Sequence, residues 1–150
     1  MRKGVILFLA IVIPVSAAFA GAGLVNKKSA YSVAETLDRL EKALTQKGIV
    51  VFARIDHAAG AKKVGLALRA TEVVIFGNPK LGTPLMQSNQ TIGIDLPLKA
   101  LAWEDETGQV WLTYNAPASL ADRHGIRDQT DVVNKMSRAL DKLTDAATRP

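Results

Sequence analysis

Apolar side chains recur at helical spacing in two stretches of the chain, one in each half. The first stretch places four of them on one helical face: Val33, Leu37, Leu40 and Leu44. Ser32 and Glu35 form the Ser-x-x-Glu capping box that opens such a helix, and Gly48 provides the left-handed residue that often ends one. The second stretch has a longer apolar face: Val132, Val133, Met136, Ala139, Leu140, Leu143 and Ala147. Asp128 or Thr130 is expected to be its N-cap.

Between these helices the apolar residues are β-branched or aromatic and come in short runs, which is typical of strands. Four runs qualify: Ile49–Ile55, Thr71–Phe76, Leu98–Glu104 and Gln109–Tyr114. An edge strand could also begin at Leu24. The last two runs form a hairpin, and a left-handed bulge at Gly108 would place Trp103 opposite Trp111. Facing tryptophans are more often a packing pair than a ligand platform, so packing is the favoured interpretation.

The order of these elements predicts a single α+β domain. It has a mainly antiparallel sheet of about four to five strands, with two long helices packed on one face. Short connecting helices are expected at His57–Val64, which Asp56 would cap, and at Pro117–His124. The chain contains no internal repeat and no low-complexity linker, which argues against a second domain.

The stretch Gly77–Thr83 has the Gly-x-x-x-x-Gly frame of a phosphate-binding loop, but Thr83 stands where that loop needs lysine. A nucleoside triphosphatase is therefore rejected. A weaker anion site remains, because Asn78 as N-cap and Pro79 as first helical residue would leave N–H groups free beside Lys80.

Pro84 complicates this anion site, since a proline at the sixth helical position removes an internal hydrogen bond. The favoured interpretation instead ends a structured loop near Thr83 and starts a short helix there. The interpretation favoured over an anion site is that the glycines and prolines of this stretch only shape a sharp turn.

The first twenty residues have the pattern of a secretory signal peptide. Arg2 and Lys3 precede the apolar run Val5–Val15, and Ala18 and Ala20 form an Ala-x-Ala cleavage site. Cleavage after Ala20 is preferred over a membrane anchor because the run is short for a span. The predicted location is therefore the periplasm or the exterior, with no stable membrane anchor after cleavage.

Composition excludes several classes of function. The formal net charge of +5 is modest, and the basic residues are interleaved with acidic ones. That distribution argues against a nucleic-acid partner, which requires clustered Lys and Arg. The chain has no cysteine, so it has no disulfide, thiol nucleophile or thiolate metal site.

The two histidines, His57 and His124, lack the spacing that would prearrange a metal site, so neither a metal nor another cofactor is expected. A small enzyme using them with Asp56 or Asp95 as acid–base partners is the alternative function. This alternative requires the side chains to meet in one pocket. No catalytic residue is assigned.

Several segments together resemble the domain-of-unknown-function family DUF302. They are the helix ending at Gly48, IDHAAGA at Ile55–Ala61, FGNPKLGTPLM at Phe76–Met86, DLPLK at Asp95–Lys99, Trp103–Asp105, and Pro117–His124. The resemblance covers Ala30 to Gly125. It implies a compact α+β domain of TBP-like arrangement with no assigned activity, and it suggests a homodimer.

The sequence thus predicts an exported binding or interaction module that is not an enzyme. Residues 1–20 are assigned to the signal peptide, 21–29 to a short segment, 30–125 to the domain and 126–150 to a helix packed on it. A small anionic ligand is the expected partner. The candidate ligand-binding residues are Asp56, His57, Asn78, Pro79, Lys80, Gly82, Thr83, Asp95 and His124.

Overall fold

The computed structural model describes residues 23–150, so the predicted signal peptide lies outside the described residues. The elements follow in the order β1 (Leu24–Lys28), α1 (Val33–Gln46), β2 (Val50–Asp56), α2 (His57–Lys63), β3 (Thr71–Gly77), α3 (Pro79–Ser88), a 3-10 helix (Gln90–Ile94), β4 (Leu98–Glu104), β5 (Val110–Asn115), α4 (Pro117–Arg123) and α5 (Thr130–Thr148). Within this part of the chain, no helix is long and apolar enough to cross a membrane.

The five strands form one sheet in the order β1-β5-β4-β3-β2, and every neighbouring pair is antiparallel. The predicted α+β class is confirmed, and so is the edge strand beginning at Leu24. Trp103 lies opposite Trp111 as the hairpin rule predicts, with Gly108 at φ +82°. The two indole rings are stacked with their centroids 6.4 Å apart, so this pair packs across the strands.

The long helices α1 and α5 pack against each other and cover one face of the sheet. Their apolar stripes and the inward residues of the strands form the main core: Val33, Leu37, Leu40, Leu44, Val74, Phe76, Ala100, Ala102, Val110, Leu112, Tyr114, Leu140, Leu143 and Ala147. A second cluster joins the shorter helices to α5: Leu85, Ile92, Leu120, Ala121, Ile126, Val133 and Met136. Both clusters draw on α5, which therefore connects the two halves of the interior.

Local signals in the sequence explain where the helices begin and end. The Ser32 hydroxyl accepts a hydrogen bond from the Glu35 N–H at 3.2 Å, and the chain leaves α1 through Gly48 at φ +66°. Asp56 caps α2 by accepting from the N–H of Ala59 at 2.7 Å. These termini were predicted correctly.

The prediction that a helix starts near Thr83 is wrong. The helix α3 begins at Pro79, Asn78 is its N-cap, and Pro84 lies inside it. Pro84 has no N–H to donate to the preceding turn, which costs one helical hydrogen bond. The cap at Asn78 and the burial of Leu85 in the second cluster stabilise the helix on both sides of that defect.

The predicted cap of α5 is also wrong. Its N-cap is Gln129, which makes no capping hydrogen bond through its side chain. The Asp128 carboxylate instead accepts a hydrogen bond from the Ser88 hydroxyl at 2.5 Å, linking the end of α3 to the start of α5. A long-range partner has thus replaced the local one that the sequence pattern favours.

Candidate ligand-binding site

An apolar cavity of about 350 Å³ lies where α3, α5 and the adjacent ends of β2 and β3 meet. The strands and loops contribute Ile49, Phe52, Phe76, Gly77, Leu96, Pro97 and Leu98. The turn after β3 and the helix α3 contribute Asn78, Pro79, Leu81, Gly82, Thr83 and Met86. The helix α5 contributes Met136, Ala139, Leu140 and Leu143.

The floor of the cavity lies between the two hydrophobic clusters. Phe76, Leu140 and Leu143 belong to the main core, while Met136 belongs to the second cluster, and all four are buried. Leu98 contacts both clusters. The cavity is therefore the space that remains where two separately packed groups of side chains meet.

Phe52 stands at the open side of the cavity, with 55% of its surface exposed. It is the extra residue of a β-bulge, because Val51 pairs with Phe76 and Ala53 already pairs with Ile75. A bulge turns a side chain away from the regular alternation of the strand. The bulge in β2 thus accounts for an aromatic ring that lines the cavity mouth while remaining exposed.

Asn78 and Thr83 are the two polar side chains in the cavity wall, and no charged side chain among residues 23–150 lines it. The Asn78 side-chain oxygen accepts from the Lys80 N–H at 3.0 Å, and the Asn78 backbone oxygen accepts from Leu81 and Gly82. The first N–H groups of α3 are therefore already bonded. The geometry removes the basis for an anion site at this helix terminus, because its donors have other partners.

A separate polar cluster surrounds the second histidine. His124 Nε2 lies 2.7 Å from Asp95 Oδ2, and His124 Nδ1 lies 2.8 Å from the Thr91 hydroxyl. The Asn89 side chain donates to the backbone oxygen of His124 at 2.8 Å, and Arg123 donates to both Asp95 oxygens at 2.9 and 3.1 Å. The cluster fastens the C-terminus of α4 to the loop before β4.

The surroundings of Asp95 act on its pKa in opposite directions. Burial disfavours the carboxylate and raises the pKa, since 17% of the side chain is exposed. The hydrogen bonds from His124 and Arg123, together with their charges, outweigh burial and hold the pKa of Asp95 below its usual value of 3.8. The carboxylate is thus ionised across the neutral range.

Asp56 and His57 lie far from the cavity. Asp56 pairs with Glu72 at one end of β3, whereas Gly77 at the cavity is five residues further along that strand. At ~3.3 Å per residue, this separation is about 17 Å. Asp56 and His57 therefore lie at the opposite end of β3 from the residues that line the cavity. Among the described residues, no group of three or more His, Asp and Glu side chains is placed to hold a metal.

Of the candidate residues named from the sequence, Asn78, Pro79, Gly82 and Thr83 line the cavity. Lys80 is exposed and does not line it, and Asp95 and His124 form the polar cluster instead. The residues that sequence reasoning missed are apolar, and in the sequence they look like ordinary core positions. Phe52 is one of them, and the bulge that brings its ring to the cavity is visible only in the strand pairing.

The comparisons with known proteins identify the family. A family model described as "Domain of unknown function DUF302" matches residues 25–143. The chain belongs to the DUF302 family. The match extends on both sides of Ala30–Gly125, the range assigned to the resemblance, and so includes most of α5.

A solved DUF302 structure has the same fold. The crystal structure of an uncharacterised conserved DUF302 protein from Bacillus stearothermophilus gives a TM-score of 0.76 at 18% sequence identity. The similarity covers 85% of this chain and 99% of that one. At this identity the likeness establishes the architecture alone.

Two curated relatives are proteins named fluoride-specific ion channel FluC 1, from Brucella suis biovar 1 and Brucella abortus biovar 1. Each is 52% identical over 122 residues, which is 81% of this DUF302 chain. The aligned part covers 48% and 45% of those proteins, so the chain spans about half the length of the relatives it matches. The name of a fluoride channel therefore belongs to each relative as a whole protein and is not a statement about this chain.

Proposed function

We propose that this DUF302 chain is a binding module, not an enzyme, and that its ligand occupies the cavity beside the Asn78–Thr83 turn. The observation that supports this proposal is a cavity with a volume of about 350 Å³, which opens at Phe52 and has buried core residues at its base. Sites for small molecules are concave and mostly apolar, carry a few polar groups and have volumes of roughly 300–1,000 Å³. This cavity has each of those properties.

The alternative, a small enzyme using His124 and Asp95, has weaker support. Both ring nitrogens of His124 already have protein partners, Thr91 and Asp95, and the side chain is only 9% exposed. A general acid or base must reach the proton that it transfers, directly or through one water. None of these three residues lines the cavity, so the histidine lies outside the space where a substrate would bind.

We also infer that the protein is exported. The charged Arg2-Lys3 start, the apolar run Val5–Val15 and the Ala-x-Ala site ending at Ala20 support this proposal. A ligand met in the periplasm or outside the cell would then be the relevant one. Mass spectrometry of protein recovered from the exported fraction tests the proposal, which expects a mature chain beginning at Gly21.

Assembly as a homodimer is a further part of the proposal. Four of the exposed apolar side chains are near one another in the sequence, at the end of β2 and from the end of α2 into the connector after it: Ile55, Val64, Leu66 and Leu68. We name these four residues the α2 apolar surface. Exposed apolar residues that lie together are typical of association sites. A second copy of the chain is the partner proposed to cover them.

The cavity proposal is tested by a thermal-shift screen of the purified protein against a chemically diverse set of small molecules. Wild type, Gly82→Leu and Gly60→Leu are compared. A Cβ on Gly82 would make an ordinary contact, 3.6 Å from Leu96, and a leucine there would extend a larger side chain toward the cavity wall. Gly60 lies on α2 away from the cavity, and a Cβ added there would meet nothing within 4 Å, so it is the matched control.

At least one class of small molecule is expected to raise the Tm of wild type and Gly60→Leu, but not that of Gly82→Leu. If every molecule that binds stabilises the three proteins equally, the cavity is not the binding site.

A further inference from the structure

We infer that the ligand is a molecule with one aliphatic chain and a neutral hydrogen-bonding head. This inference rests on the proposed function and assigns a chemical class to the ligand of that cavity. The chain would lie against the core residues, and the head would lie at the mouth beside Asn78 and Thr83. The sequence predicted a small anionic ligand. A neutral ligand is proposed instead, because the cavity lining is apolar and the hydrogen-bonding groups at the mouth are uncharged.

The walls are suited to hydrocarbon. Their side chains are aliphatic, aromatic or thioether groups apart from Asn78 and Thr83, and none carries a charge. A water molecule in such a space would need two to four polar partners, which the floor at Phe76, Leu140 and Leu143 does not supply. Burying a charged group there would cost far more than burying methylene groups gains. The floor therefore selects an apolar segment.

Two methionines, Met86 and Met136, line the cavity from the two helices α3 and α5. Methionine has an unbranched, polarisable side chain that adapts to irregular apolar surfaces. Such walls accommodate a flexible aliphatic chain in several conformations.

The mouth supplies hydrogen-bonding groups without charge. The Asn78 side-chain oxygen is occupied by the Lys80 N–H, which leaves its amide NH₂ to donate. Within residues 23–150, that NH₂ and the Thr83 hydroxyl have no hydrogen-bond partner in the protein. Lys80 does not line the cavity, and the first N–H groups of α3 are bonded to Asn78. A hydroxyl or carbonyl head can accept from these donors, whereas the lining offers no cationic side chain to offset the desolvation of a carboxylate.

The volume of the cavity limits how many aliphatic chains the ligand can place in it. An apolar cavity of about 150 Å³ accommodates one benzene ring, so a cavity of about 350 Å³ holds roughly twice that amount of hydrocarbon. One medium-length chain fills this space. The two chains of a membrane phospholipid exceed it.

The test is a series of n-alkanols from hexanol to tetradecanol, titrated by calorimetry into the purified wild-type protein. Each added methylene should lower Kd about fourfold while it still enters the cavity, and the gain should stop when the cavity is full. Decanoate should bind at least tenfold more weakly than decanol. Gly82→Leu should bind decanol at least tenfold more weakly than wild type, whereas Gly60→Leu should bind it equally well.

Three results overturn the inference: a Kd independent of chain length, equal binding by Gly82→Leu, or tighter binding of decanoate than of decanol. Native mass spectrometry after incubation with phosphatidylethanolamine vesicles shows whether the protein binds a two-chain membrane lipid. A bound diacyl lipid contradicts the assignment of a single-chain ligand. If alkanols fail while another class from the thermal-shift screen is blocked by Gly82→Leu, the proposed function stands and this inference fails.

Discussion

The imidazole of His124 shares a hydrogen bond with Asp95 at 2.7 Å, across a gap of 29 residues in the sequence. This bond joins α4 to the loop before β4, and that loop also supplies Leu96 and Pro97 to the cavity wall. The polar cluster therefore holds one side of the cavity in place, although it does not touch the cavity itself.

Stability should depend on Asp95 in acid. Its folded-state pKa is lowered, so the stabilisation from its ionised form is complete above the ordinary value of 3.8 and is lost as the pH falls through the lower folded value. We expect Asp95→Asn to lower the free energy of unfolding at pH 7 by about 1–3 kcal/mol, because His124 and Arg123 lose a charged acceptor. Urea unfolding measured from pH 7 to pH 2 checks both statements.

The variant and the wild type should converge as the pH falls. Once Asp95 is protonated in the wild type, the two proteins differ little at this position, so the gap between their unfolding free energies should shrink. A gap that stays constant down to pH 2 would show that Asp95 acts through packing alone.

The hairpin carboxylate of Asp105 should titrate unusually low. The hydrogen bond from the Trp111 indole, supported by donors on Thr107 and Gln109, lowers the pKa of Asp105 to about 2. Carbon-13 NMR of the side-chain carboxyl measures this value directly. Trp111→Phe should move the pKa back toward 3.8, whereas Trp103→Phe, which removes an indole with a different partner, should leave it near 2.

Phe52→Ala should weaken ligand binding with little loss of stability. The ring lies at the cavity mouth and is largely exposed, so its removal takes away ligand contacts more than core contacts. We expect Kd for the bound ligand to rise at least threefold and Tm to change little. The matched control is Val50→Ala, an exposed apolar residue of the same strand that does not line the cavity, which should change neither quantity by as much.

Leu37→Ala should be strongly destabilising. The side chain is fully buried, at 0% exposure between α1 and the sheet, and truncation removes its contacts and leaves a cavity. The expected loss is about 2–5 kcal/mol in the free energy of unfolding, measured by urea denaturation. Ile94→Ala is the control, because that side chain is 80% exposed and should change stability by less than about 0.5 kcal/mol.

Leu66→Glu should shift a homodimer toward monomer, because it places a charge within the α2 apolar surface. Sedimentation velocity over a range of protein concentrations measures the distribution. Ile94→Glu introduces the same charge at an exposed residue outside that surface and should leave the distribution unchanged. A wild-type protein that stays monomeric at high concentration would contradict the dimer proposal.

Features set by neighbouring residues could be predicted from the sequence. The Ser32 cap, the left-handed Gly48 and the pairing of Trp103 with Trp111 all follow from short-range rules, and the structure has each of them. They are predictable because a cap, a positive φ or a hairpin register depends on a few adjacent positions. The fold class then follows from the order of the elements.

Features that depend on distant contacts could not be predicted. Pro84 lies inside α3 beside Leu85, whose burial in the second cluster stabilises the helix, and no local pattern shows that burial. His124 meets Asp95 only after α4 folds back over the loop before β4. The cavity combines residues from β2 to α5 that look like core positions, so a space left between them has no signature in the sequence.

The bulge at Phe52 has a consequence for how copies of this protein can associate. The strand β2 is at an edge of the sheet. The unpaired backbone N–H and C=O groups of an edge strand can hydrogen-bond to a strand from another molecule. The extra residue breaks the regular spacing of those groups. This irregular spacing disfavours pairing of two molecules through their β2 strands. Such pairing would cover the strand at the cavity mouth, and its repetition would build a fibril.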